Sequence, residues 1–341
     1  MSFTTRKVIP WVIGFYTILF LFTSFTLLFE FVIPHGGIII EEPLITRTTT
    51  STTTTTTTTT SGNASTTTNS ETTSTEIPTT TTTTTTTLGL VYPGTVPTVL
   101  SNGTVIGTYQ NDFVLITVYQ IRATNSDVFV ADVVVVDGYA ILSAFAFNTF
   151  GGSNITQTVS TMASAHDAIF AMNTDYASHY DSGFVIRNGL LLRTTVSNRS
   201  AIALKWDGSV TIFKESSTTA QAVFDAGTWQ LWSFGPPLII QGVSVADVND
   251  GLARDAVNNP RSAFGVVEAK HYMFVSVDGR TDISHGADIE ELAEIMMDLG
   301  CQDAYNFDGG GSATMWFDGA VINHPSEGSE RKVGDCVYIR R

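Results

Sequence analysis

Cysteine is scarce: Cys301 and Cys336 are the only two in 341 residues. With no histidines clustered beside them, they do not make a structural zinc site. Outside a membrane a disulfide between them is chemically allowed, but their separation along the chain leaves bridged and free both open. Basic residues are few as well, 17 Lys and Arg against 32 Asp and Glu, for a formal net charge of −15. No long basic stretch exists, which argues against nucleic acid as a partner. An anionic ligand has to be captured by locally clustered arginines against the overall field. Several catalytic signatures are missing too. There is no GxSxG elbow, HExxH or SxxK, so the common hydrolase motifs are absent. No GxxxxGKS/T marks a P-loop, and no GxGxxG opens a helix as in a dinucleotide-binding unit. No repeat of about 20 to 50 residues is present, which disfavours solenoids and propellers.

Charge is absent altogether from residues 8–29, VIPWVIGFYTILFLFTSFTLLF. As a helix such a run is long enough to cross a hydrocarbon core of about 30 Å, and it lacks the short apolar core and small-residue cleavage site of a signal peptide. Arg6 and Lys7 precede it, while Glu30, Glu41 and Glu42 follow. The positive side stays in the cytoplasm, so the rest of the chain is expected outside. The expected organisation is a cytoplasmic tail at 1–7, a signal-anchor helix at 8–33, a linker at 34–91 and one folded domain at 92–341. Threonine dominates residues 48–87, with unbroken runs at Thr52–Thr60 and Thr79–Thr87. That composition has too little apolar surface to offset the entropy of ordering, so it reads as a disordered stalk. Asn63, Asn102, Asn154 and Asn198 each begin a glycosylation sequon.

The remaining segment, roughly 250 residues, can bury a full core. Apolar runs rich in β-branched residues over 113–136, broken at 123–127, predict two strands and a turn. A helical stretch around 159–166 leads into a short buried strand, AIFAMN, ending at Asn173. Asn188-Gly189, Asp207-Gly208 and Asp318-Gly319 sit between apolar runs as hairpin turns. HYMFVSVDGR, 271–280, is a further strand, and AYNF, 304–307, another. Ile289, Leu292, Ala293, Met296 and Leu299 share one face of a helix over 287–299 that Gly300 stops. The expected fold is therefore α+β: a single strand-rich mixed-sheet domain with a few helices.

Three predicted strand ends deliver polar groups: Asn173-Thr174-Asp175, Asp278-Gly279-Arg280, and Asn306-Phe307-Asp308 followed by glycines. Such groups on loops held by rigid strands make a site if they converge. Asp308–Ser312, DGGGS, reads in two ways: as a glycine-rich turn, or as an anion-binding concavity formed by the amides of Gly309, Gly310 and Gly311 with the Ser312 hydroxyl. Arg261, after Pro260, and Arg280 are candidate phosphate clamps, because a guanidinium holds phosphate through two parallel hydrogen bonds; the bland alternative is a solvated arginine. Arg331 is a weaker candidate. His285 reads as a capping or surface residue, and His166 as structural beside AIFAMN.

Taken in order, AHDAIFAMNTDYAS, DSGFVIRNGLLLR, NPRSAFGV, VDGR and LGCQDAYNFDGGGSATMWFDGAVINHPSEGSERKVGD resemble the phosphodiester glycosidase (NAGPA) family over nearly all of residues 113–341. Thr174 stands where the family usually has glycine, Ala177 where an aromatic is common, and Ser262 replaces a threonine. The resemblance implies cleavage of a sugar-1-phosphodiester at the glycosyl carbon–oxygen bond, as in the uncovering enzymes that remove N-acetylglucosamine from a phosphodiester on mannose. On this reading Arg261 and Arg280, with the amides of Gly309–Gly311 and with Ser262 and Ser312 nearby, hold phosphate. Asp308 and Asp175 are candidates for nucleophile or base, and Asn173, Asp278 and Asn306 bind sugar hydroxyls. The resemblance assigns no certain cofactor, and three aspartates offer an alternative site for a divalent cation such as calcium. Other readings are a non-catalytic glycan-binding surface module, or a phosphodiesterase or glycosyl-phosphate transferase in exopolysaccharide assembly. The expected substrate is a surface or wall glycopolymer, with the catalytic domain outside the cell.

Overall fold

A computed structural model describes residues 5–31, 36–41, 103–247 and 256–341. The expected threonine-rich stalk lies outside them. The described residues all fall within one compact unit.

Its backbone is an eight-stranded sheet. In spatial order the strands are Val243–Ser244, Pro237–Ile240, Asp303–Phe307, Arg261–Glu268, His271–Val277, Ser126–Val135, Val114–Ala123 and Thr104–Gln110. A two-stranded sheet, Ile38–Ile39 with Thr149–Phe150, and two five-stranded sheets complete the domain. One runs Val210–Lys214, Ser200–Lys205, Thr228–Trp232, Val185–Arg187, Leu190–Arg193; the other runs Ala320–Val321, Met315–Phe317, Ala168–Asn173, Asp335–Arg340, Leu142–Phe145. Every strand pair among the described residues is antiparallel.

The central strands are apolar on both faces, which explains why their sequences run together instead of alternating. Phe129, Ala131, Phe264, Phe274 and Phe307 point into one core with Phe170, Met315 and Val337 of the second five-stranded sheet. Their neighbours Val128, Val130, Ala263, Met273 and Val275 point into a second core, as the two-residue side-chain period of a strand requires. The second core is closed by the helix Ile289–Asp298, which buries Ile289, Leu292, Ala293, Ile295 and Met296. Asp288 and Glu291 form its capping box, so the helix starts two residues later than the apolar period alone suggests. Gly300, at φ 82°, stops it, with the Cys301 amide donating back to the Met296 carbonyl.

Turn chemistry fixes the hairpins. Asn188-Gly189 and Asp318-Gly319 have positive φ at both positions, as does the Thr124-Asn125 turn that breaks the 113–136 run. Cys301 and Cys336 are both free and buried, so the bridge left open by the sequence is not made. Burial drives both thiols well above their ordinary range, out of reach of thiolate chemistry.

The N-terminal apolar run is helical over Thr5–Phe31. Side chains are described for residues 14–29, almost all exposed. Among the described residues no helix is long and apolar enough to cross a membrane. The transmembrane helix expected over 8–33 therefore has no support here.

Gly265 lets the helix and the central sheet approach. A Cβ there would collide with the Met296 methyl, and it would lie 2.5 Å from the Cys301 sulfur. Gly265→Val is expected to destabilise the domain by about 1–3 kcal/mol through overpacking, read as a lower urea midpoint with an unchanged slope; equal stability would show that the helix rides freely on the sheet.

Candidate anion site at the glycine loop

Register brings the strand ends to one edge. Arg261 pairs with Val277 and Ser262 with Phe307, while Met315 and Cys336 flank the end of Ala168–Asn173. Asn173 ties these elements together. Its side-chain amide donates to the Asp308 carbonyl at 2.6 Å, and its Oδ1 accepts from the Ser262 hydroxyl at 2.9 Å and the Thr314 amide at 3.1 Å. Asn173 and Ser262 are buried, so in this structure they brace the loop from beneath. The Asp308 amide donates to the Thr174 carbonyl at 2.9 Å, which joins the same two segments again.

Each glycine of DGGGS answers to a different neighbour. A Cβ on Gly309 would meet the Pro260 carbonyl oxygen at 2.5 Å. Gly310 has φ +61°, and a Cβ there would lie 3.1 Å from Arg280 Nη2. A Cβ on Gly311 would collide with the Glu327 carboxylate and the Arg331 guanidinium. A bare α-carbon is therefore required by backbone approach at Gly309 and by backbone conformation at Gly310, while at Gly311 the neighbours are the ends of two flexible side chains.

The amide cradle is smaller than the sequence suggests. The Gly310 amide donates to the Pro260 carbonyl at 2.7 Å, and the Ser312 amide to the Gly309 carbonyl at 3.1 Å, inside a short 3-10 turn. The amides of Gly309 and Gly311 have no acceptor among the described residues. Ser312 is fully buried, and its hydroxyl has no partner.

The cations around the loop also differ from expectation. Arg280 is exposed; its Nε and Nη2 donate only to Asn259 Oδ1, at 3.2 and 3.0 Å, and no carboxylate among the described residues pairs with it. Arg261 is buried, donating from Nε to the Ala287 carbonyl at 2.8 Å and from Nη2 to the Val257 carbonyl at 3.0 Å, so its guanidinium holds backbone. The second arginine against the glycines is Arg331, which the sequence ranked lower. Asp308 is half-buried. Burial and then the Asp308 charge raise the Tyr176 phenol, with Arg331 opposing, which places all three in electrostatic range of one another. Tyr176 stacks on His179 at 3.8 Å.

Asp175 faces the other way. Its carboxylate accepts from Arg187 Nη2 at 2.5 Å and from the Ser233 amide at 2.9 Å, with no solvent exposure. Arg187 also holds Asp335, at 2.9 and 3.1 Å, and donates to the Leu231 carbonyl. Two buried carboxylates share one guanidinium. Burial first raises Asp335 from 3.8 to about 7, Arg187 opposes, and the Asp175 charge adds to the rise. The Thr174 hydroxyl lies beside Asp335 but misses hydrogen-bond geometry, so Thr174 Oγ1 and Asp335 Oδ1 are both unpartnered. Asn306 is buried, donates to the Gly235 carbonyl at 2.8 Å, and keeps an unpartnered Oδ1.

Asp278 is buried and accepts from the amide of His324 at 3.0 Å and the side chain of Asn323 at 3.3 Å; His324 Nδ1 lies 2.7 Å from its Oδ2. Burial raises its pKa against these bonds. Asp127, Asp278 and His324 are the described residues whose ligand atoms gather within 4.8 Å of one another, a donor set able to take a divalent cation. Of the three aspartates in the expected cation set, only Asp278 belongs to it.

The structure thus gathers Asp308, the glycines and Arg280, and adds Arg331, Glu327 and Tyr176. Asp175, Arg261, Asn173, Ser262 and Asn306 lie beneath as buried, hydrogen-bonded groups. Arg187 did carry a signal in sequence, a lone charge inside the apolar strand FVIR; Asp335 and Glu327 carried none.

A family model described as phosphodiester glycosidase, NAGPA, matches residues 166–340. The chain belongs to the phosphodiester glycosidase family. The match takes in the glycine loop, the DGR segment and both arginines that flank the loop. The SPbeta prophage-derived uncharacterized protein YomE of Bacillus subtilis (strain 168) is 26% identical over 208 residues, which are 56% of this chain and 31% of that protein. The chain thus matches less than a third of that relative's length. The catalytic domain of zebrafish N-acetylglucosamine-1-phosphodiester alpha-N-acetylglucosaminidase, auto-inhibited by its pro-peptide, has a similar fold at TM-score 0.54 and 19% identity, covering 70% of this chain and 87% of that one. A hypothetical protein from Synechocystis matches at TM-score 0.54 and 15% identity, covering 67% and 63%.

Two outcomes are expected of the buried triad. Arg187→Met strands two carboxylates and should cost about 3–5 kcal/mol in urea unfolding; a loss below about 1 kcal/mol would mean that the carboxylates are solvated. Asp335 holds its proton more tightly folded than unfolded, since about 7 exceeds 3.8. The stability it contributes is complete below the lower value and is lost as pH rises through the higher one. Asp335→Asn should flatten stability across that window, and an unaltered pH profile would contradict the assignment.

Proposed function

We propose that this chain hydrolyses a sugar-1-phosphodiester at the bond between the anomeric carbon and oxygen, releasing free sugar and a phosphate monoester. The observation that carries the reading is Arg280. It is an exposed guanidinium with no carboxylate partner among the described residues, set against a glycine loop in which two amides lack acceptors. In a chain of net charge −15, such a site is built for an anion.

The chemistry follows from the leaving group. A phosphate monoester departs far more readily than a sugar alkoxide, so strong acid assistance matters less than stabilising the departing charge. Arg280, Arg331 and the Gly309 and Gly311 amides supply that stabilisation from fixed positions. Asp308, beside them, is the carboxylate that directs water or steadies positive charge at the anomeric carbon. Asp175, held by Arg187 and the Ser233 amide, sets the strand end that carries Tyr176. The zebrafish enzyme's name points to N-acetylglucosamine as the first sugar to try.

In the same proposal the enzyme is membrane-anchored and acts on surface or wall glycopolymers. The charge-free run over 8–29 and the preceding Arg6 and Lys7 support this.

Hydrolysis of an N-acetylglucosamine-1-phosphodiester in oxygen-18 water should place the label on the sugar; label on phosphate would establish phosphodiesterase action instead. Arg280→Ala is expected to raise KM about ten- to hundredfold, and Asp308→Asn to lower kcat about a hundredfold or more. Binding without turnover in the wild-type chain would leave only a recognition module.

A further inference from the structure

The glycine loop already holds an anion of the protein's own. The missing Cβ of Gly311 would collide with the Glu327 carboxylate, which is paired with Arg331 over the bare α-carbon. The segment carrying both residues is fastened on either side of them. Before it, the His324 amide and the Asn323 side chain donate to Asp278. Inside it, the Gly328 amide closes a turn on Pro325 at 2.9 Å. Also inside it, Glu330 accepts from the Ser160 amide at 2.9 Å and the Ser160 hydroxyl. Beyond it, the Val333 amide donates to the Gln157 carbonyl at 2.8 Å. Between these ties Glu327 and Arg331 stay about half exposed, at 47% and 43%.

We propose that Glu327 is an internal competitor for the phosphate position: it occupies Arg331 across the glycine loop until a phosphodiester displaces it. The inference rests on the phosphodiester reading given above. A carboxylate and a phosphate offer a guanidinium the same pair of acceptor oxygens, so both cannot hold Arg331 fully. An exposed carboxylate–guanidinium pair is weak, which makes displacement feasible. The neighbouring Arg280, paired only with a neutral amide oxygen, favours the incoming anion. Glu327 thereby sets a threshold on affinity. It weakens every anion at this position by the same factor, so a ligand whose sugar adds binding elsewhere still fills the site at concentrations where inorganic phosphate does not.

Titration calorimetry with inorganic phosphate tests this on the full chain. Glu327→Gln should bind phosphate about three- to fivefold tighter than wild type. KM for an N-acetylglucosamine-1-phosphodiester should fall in step and kcat should change by less than about twofold. In an Arg331→Ala background the same change should have no effect, because the competed group is gone. An unchanged thermal midpoint for Glu327→Gln would confirm that folding is intact. If wild type binds phosphate and Glu327→Gln binds it equally or less well, Glu327 is not a competitor, though the glycosidase reading survives. If neither chain binds phosphate nor turns over the phosphodiester, both fall together.

Discussion

The site depends on one buried asparagine. Asn173 ends a core strand, and its side chain reaches the Ser262 hydroxyl, the Thr314 amide and the Asp308 carbonyl. Asp308 and Thr314 bracket the glycine loop and Ser262 lies in the eight-stranded sheet, so a single amide fixes where the loop lies relative to two sheets. Buried amide bonds of this kind are costly to break, because removing one partner leaves the others unsatisfied. The loop is therefore rigid at its base, which pre-aligns the Gly309 and Gly311 amides that lack acceptors among the described residues. Pre-alignment is what makes such donors effective at the moment charge develops.

Charge is arranged in two tiers. The lower tier, Asp175, Arg187 and Asp335, is closed to solvent and carries one more acid than base; a proton retained on Asp335 resolves that imbalance. The upper tier, Arg280, Arg331, Glu327 and Asp308, is open and carries its guanidinium groups toward the glycines. The two guanidinium groups of the open tier balance its two carboxylates, so a chain of net charge −15 presents a locally neutral pocket in which Arg280, held only by a neutral amide oxygen, faces the glycines. The cation-capable group of Asp127, Asp278 and His324 joins the upper tier through the Asp278–Arg280 segment.

Much of the fold was legible because local signals agreed with one another. The hairpin dipeptides, the helix face of Ile289 to Met296 and the strand AIFAMN follow from turn chemistry and side-chain period alone. Strands such as Thr228–Trp232 and Asp335–Arg340 were not, since both become intelligible only when paired with partners far along the chain. The same limit applied to the site. DGGGS and DGR announce themselves by residue type, and Arg280 does face the loop. Arg261 and Asp175 have equally suggestive neighbours in sequence, yet their direction is set by carbonyls and by an arginine that no local pattern specifies. Glu327 shows the converse: an unremarkable surface glutamate placed on Gly311 by the turn at Pro325–Gly328.

A crystal structure with inorganic phosphate bound tests the central claim most directly. The account predicts the phosphate within hydrogen-bonding distance of the Gly309 and Gly311 amides and of Arg280, with Glu327 displaced from Arg331. Phosphate bound elsewhere while Glu327 stays over Gly311 would contradict it.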